Sequence, residues 1–107
     1  MDNVMAQLES LEVRYEEIQE MMADPEVIAD TKRYMEITKE EADMREVVQK
    51  FRKFKADKEE IAGNKEIIAD GSDPELVEMA KMENSELEDE ISQLEDEIKI
   101  LMLPNYW

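Results

Sequence analysis

Apolar residues recur along this chain at helical spacing. They fall at Val4, Leu8, Leu11, Tyr15, Ile18 and Met22, in steps of 4, 3, 4, 3 and 4. Such steps keep one helix face apolar and predict a first helix over about residues 3–23. Asp24-Pro25 ends it, because proline cannot continue a helix and the residue before it avoids the helical region. The same pair starts the next turn, with Asp24 as cap and Pro25 at the first helical position. After a short turn through Val27 and Ile28, a second helix is predicted over 31–70. Its stripe reads Ile37, Met44, Val47, Phe51, Phe54, Ile61 and Ile68, and filling the same phase puts Glu40, Lys58 and Lys65 on the seam. Gly63-Asn64 is its weakest point, since a glycine inside a helix costs roughly 1 kcal/mol against alanine.

Gly71-Ser72-Asp73-Pro74 is a clear break: glycine suits a left-handed helix end, Asp73 a cap and Pro74 a first turn. A third helix is predicted over 74–103 from Val77, Ala80, Asn84, Leu87, Ile91, Leu94, Ile98 and Leu101, with Pro104 ending it. Three amphipathic helices with short links predict an all-α fold, an elongated antiparallel three-helix bundle. Folding the third helix back about Gly71 sets Phe51 and Phe54 near Leu87 and Ile91, and Met44 and Val47 near Leu94 and Ile98. The first helix folds onto the N-terminal half of the second. Large apolar residues therefore gather in a three-helix base, and a thin, polar two-helix coiled-coil hairpin projects from it. That exposed seam is a place where a second copy could associate.

Composition narrows the chemistry. The 107 residues hold no Cys, no His and two Gly, which excludes thiol nucleophiles, Ser-His triads, zinc sites built on Cys and His, and Gly-rich phosphate loops. No apolar run approaches the ~20 residues that span a bilayer, and the acidic N-terminus lacks a secretory pattern, so a cytoplasmic location is expected. Thirty Asp and Glu against 13 Lys and Arg leave a net charge of −17, which disfavours direct binding to nucleic acid or an anionic membrane. Nearly all the carboxylates lie off the apolar stripes, so neither an enzyme nor a metal or cofactor site is expected. The nine methionines read as core filler and helix formers rather than as a binding groove.

One local feature stands against the acidic background. Lys50, Arg52, Lys53, Lys55 and Lys58 fall within nine residues and form a candidate partner-contact patch, for RNA phosphates or an acidic protein. Internal balance is the stronger reading. Nine of the 13 basic residues lie between Lys32 and Lys58, whereas residues 83–97 carry eight acids and no base, and the first helix is acidic apart from Arg14. A basic helix between two acidic ones pairs within the bundle.

The order of motifs goes further than periodicity. RYEE at Arg14–Glu17, ADPEVIAD at Ala23–Asp30, KRYMEITKEEADM at Lys32–Met44 and DPELVEMAKMENSELE at Asp73–Glu88 resemble the N-terminal helical domain of bacterial class-I peptide chain release factors. IKILMLP at Ile98–Pro104 resembles the branch that reads UAA and UAG. The resemblance covers residues 1–104 as one domain, and Asn105-Tyr106-Trp107 depart from the family. It implies a part in stop-codon-dependent release of the nascent chain, with the ribosome, near the large-subunit stalk base, and the class-II release factor GTPase as partners. The family's Pro-x-Thr codon-reading and Gly-Gly-Gln catalytic tripeptides do not occur here, so no catalytic residue carries over, and an excised or truncated domain is expected. The alternative is a stand-alone acidic coiled-coil adaptor or chaperone-like bundle, which shares the heptads but not the ordered motifs.

Overall fold

A computed structural model describes residues 2–103. It has four helices: α1 (Asp2–Met22), α2 (Pro25–Ala29), α3 (Thr31–Asp70) and α4 (Pro74–Leu101). The added element is α2, where the sequence pattern indicates only a turn. Asp24 caps it by accepting from the Glu26 N–H at 3.0 Å, and Val27 is buried beneath it. Asp30 then caps α3, accepting from the Arg33 N–H at 3.2 Å. Gly71 closes α3 in the left-handed region at φ 67°, where a Cβ would be strained, and its N–H donates to the Ile67 carbonyl. Asp73 caps α4 by accepting from the N–H groups of Glu75 and Leu76. Pro104 and the Asn105-Tyr106-Trp107 tail lie outside the described residues.

The 40-residue α3 is the axis of the molecule, unbroken through Gly63. The molecule measures 59 × 32 × 18 Å, with a radius of gyration of 18.5 Å. A compact chain of this length would have a radius near ~13 Å. Helices α1, α2 and α4 all pack on α3, while no Cα of α1 comes within 8 Å of a Cα of α4 among the described residues. The base core gathers Leu8, Tyr15 and Ile18 of α1 with Met44, Val47, Val48, Phe51 and Phe54 of α3 and Leu94, Ile98 and Leu101 of α4. Beyond Asp57, α3 has no fully buried residue among those described.

The expected seam positions are corrected. Lys58 and Lys65 are exposed, and Glu40 is only partly buried; Glu41 and Asp57 are buried, and Asn64 is partly buried. From Phe54 the face continues through Asp57, Ile61, Asn64 and Ile68, in steps of 3, 4, 3 and 4. A short carboxylate or amide fits between two helices, whereas a lysine ammonium is too costly to desolvate there. Along the α3–α4 seam Lys50 meets Glu97, Lys53 meets Glu90 and Asn64 meets Asn84; Leu94 and Ile98 join Met44, Val47, Phe51 and Phe54 in the base core, Ile91 packs against it, and Leu87 lies outside it. Such cross-seam polar pairs fix how one stripe sits on the other. Met79 and Met82, which the sequence pattern puts close to the seam edges, are each 66% exposed.

Candidate functional site

The five residues of the basic run lie in the part of α3 that α1 and α4 flank. Lys50 donates to Glu97 of α4. Arg52 donates to Glu12 at 2.9 Å and reaches Glu16, both on α1, and its guanidinium lies 5.5 Å from the Tyr15 ring centroid. Lys53 Nζ lies 3.0 Å from Asp57 Oδ1 and 3.3 Å from Glu90 Oε1. Lys55 donates to Glu12 and lies near Glu9. Lys58 has no carboxylate within 4 Å among the described residues; its Nζ sits 4.9 Å from the Phe54 ring centroid. The α3 cations thus neutralise acids on both neighbours and fix how α1 and α4 lie on α3. The proton affinities follow. The Lys55 hydrogen bond holds the Glu12 carboxyl below its ordinary range, and Lys50 does the same to Glu97.

A second cluster lies at the far end of the base. The Tyr15 hydroxyl donates to Glu41 Oε2 at 2.8 Å, and Arg45 forks onto both Glu41 oxygens. Glu41 is 4% exposed, so these donors satisfy a carboxylate that burial alone would make unfavourable. Arg45 holds its pKa low, and burial raises that of Tyr15. Arg14 forks onto Glu40 at 2.8 and 2.9 Å, so this carboxyl is also held low, chiefly by Arg14. These contacts join Arg14, Tyr15, Glu40 and Glu41, residues that the sequence patterns RYEE and KRYMEITKEEADM hold apart. Sequence reasoning missed Glu41 and Asp57. Their signal was the spacing of Glu41 from Ile37 and of Asp57 from Phe54, each one turn along the buried face.

At the free end of the α3–α4 hairpin, Asn64 donates to Asn84 Oδ1 at 2.9 Å and to Glu83. Beside this pair a shallow groove of about 290 Å³ runs along Gly63, Ile67 and Leu76, rimmed by Glu66, Asp70 and Asp73. Leu76 is 49% exposed, and Ile67 40%. A larger open groove of about 680 Å³ lies against α1 near Leu11 and Met102. Neither gathers the acid, base and nucleophile that bond-making needs. Among the described residues no group of three Asp or Glu is placed to hold a metal ion, and no helix is long and apolar enough to cross a membrane.

The PCRF domain model matches residues 11–106. The chain belongs to the PCRF domain family. Similar proteins include Peptide chain release factor 1 of Lactobacillus gasseri, 76% identical over 104 residues, which is 97% of this chain and 29% of that protein. Peptide chain release factor 1 of Lactobacillus johnsonii has the same identity and coverage. That of Enterococcus faecalis is 51% identical over 98 residues, 92% of this chain and 28% of the relative. The PCRF chain thus spans less than a third of the length of these relatives. No solved structure matches it.

Proposed function

We propose that this chain is the N-terminal helical domain, residues 1–104, of a cytoplasmic translation termination factor that directs release of the nascent chain at UAA and UAG. The supporting observation is the 76% identity to Peptide chain release factor 1 over 104 residues. In this reading the segment works by position rather than by chemistry. The rigid base fixes the direction of a long hairpin, which docks near the large-subunit stalk base and communicates with the class-II release factor GTPase. Codon reading and peptidyl-tRNA hydrolysis belong to other parts of the full factor. The 59 Å length and the apolar residues at the end of the hairpin suit such a lever. Within the basic run, Lys58 is the cation best placed to meet a partner, because the other four are engaged with acids of α1, α3 or α4. Docking through a second attachment point raises the effective concentration of the factor on its target. Deleting this domain from a full-length factor should therefore weaken ribosome binding or recycling more than it slows single-turnover hydrolysis at saturating factor. Equal losses in both would overturn the reading.

A further inference from the structure

Where the hairpin leaves the base, three carboxyl oxygens have no hydrogen-bond partner: both oxygens of Asp57 and Oε1 of Glu90. The Asp57 side chain is 0% exposed, so water does not complete it. One ammonium serves both groups. Lys53 lies 3.0 Å from Asp57 and 3.3 Å from Glu90, close enough for charge attraction but aligned with neither for a hydrogen bond. Among the described residues no other charge completes the set. On α1, Glu9 and Glu12 face Lys55 and Arg52. On α3, Lys58 turns over Phe54 and Lys50 is bound to Glu97 of α4. Glu90 and Lys53 keep 44% and 56% of their side chains exposed, whereas Asp57 is fully buried, so the charge that must be completed is that of Asp57, and buried charges persist only when paired and hydrogen-bonded. The missing donor is a proton.

We propose that Glu90 keeps its proton and donates its O–H to the Asp57 carboxylate, so that the root of the hairpin folds as a neutral lysine–carboxylate–carboxylic acid triad. The proton comes from solvent on folding and returns to it on unfolding. Two carboxyls at one site cannot both ionise freely, and the Asp57 carboxyl pushes that of Glu90 above its ordinary range, with Lys53 opposing. The linkage sign follows. A carboxyl whose folded pKa is raised contributes stability that is complete below the unfolded value and is lost as pH rises through the folded value. The hairpin root is therefore a proton-sensing clamp, tightest in mild acid, whereas Glu12, Glu40 and Glu41 of the base have lowered pKa values and lose their contribution in acid.

The test is a carboxyl-carbon NMR titration of the whole chain. Glu90 Cδ should show a step above the midpoint of glutamate in an unstructured peptide, and Asp57→Asn should shift that step down. A Glu90 that titrates like the peptide, or whose step stays put in Asp57→Asn, would overturn the proposal. Should Asp57→Asn not fold, Glu90→Gln supplies an amide donor to Asp57 from the partly exposed side of the seam. It should abolish the decline in thermal midpoint as pH rises above the glutamate range. Retention of the wild-type decline in that variant would equally refute the Glu90 proton.

Discussion

The base and the hairpin are built from the same two long helices, yet they are held by different forces. In the base, α3 is covered by α1 as well as α4, and Phe51, Phe54, Val47, Val48, Ile18 and Ile98 are each at most 1% exposed. Each such side chain contributes ~1.5–3 kcal/mol through burial. In the hairpin only two helices share a seam. Ile61 and Ile68 of α3 remain partly exposed, and an Asn64–Asn84 pair takes a place that an apolar contact would fill in the base. A polar pair at such a position specifies register at a cost in stability. The third helix thus decides which part of α3 is core. The base supplies stability, and the hairpin supplies reach and a defined alignment.

The sharpest way to test this contrast is to truncate each part. Phe51→Ala should destabilise the chain by ~3–5 kcal/mol in urea unfolding, while Ile68→Ala, in the partly exposed seam, should cost well under half of that. Similar costs at the two positions would mean that the hairpin has a core of its own. Glu41→Ala comes next. It leaves the Tyr15 hydroxyl without its buried acceptor and should cost about 1–3 kcal/mol at neutral pH. The effect should shrink in acid. The Glu41 carboxyl is held low by Arg45, so its stabilisation is present above the unfolded value of ~4.3 and is lost as pH falls through the folded one. Paired denaturation curves at neutral and acid pH would check it.

Changes in the hairpin should be milder. Asp73→Ala removes the acceptor for two N–H groups at the start of α4 and should cost ~1 kcal/mol, with faster amide exchange confined to the first turn of that helix. Exchange spreading into the base would show that the two parts unfold together. The smallest effect is also the one of opposite sign. A Cβ at Gly63 would meet nothing within 4 Å, and Gly63 lies inside a regular helix, so Gly63→Ala should raise stability by roughly 0.5–1 kcal/mol. A loss of stability there would mean that α3 bends at Gly63 in solution.

Much of this was legible in the sequence because helices announce themselves locally. The 3,4 steps of α1 and α4, the aspartate caps at Asp24 and Asp73, and Gly71 with Pro74 are all readable within a few residues of the chain. So was the division into an apolar base and a polar arm, since Phe51 and Phe54 precede the stretch that holds Gly63 and Asn64. The short helix α2 was not, because five residues carry too little periodicity to separate a turn from a helix. The engagement of Lys50, Arg52, Lys53 and Lys55 followed from charge balance as a trend, but their individual partners did not.

The sequence by itself determined where the helices start and stop and which broad face of each is apolar, because caps, prolines and side-chain spacing act within one or two turns. Only the tertiary structure decided the phase of α3 beyond Phe54, the register of α4 against it, and the meeting of Asp57 with Glu90 and Lys53. Those features depend on contacts between residues 19 to 47 positions apart. An apolar stripe slides by one turn at little cost until a buried polar group must find its partner, and that search is settled in three dimensions.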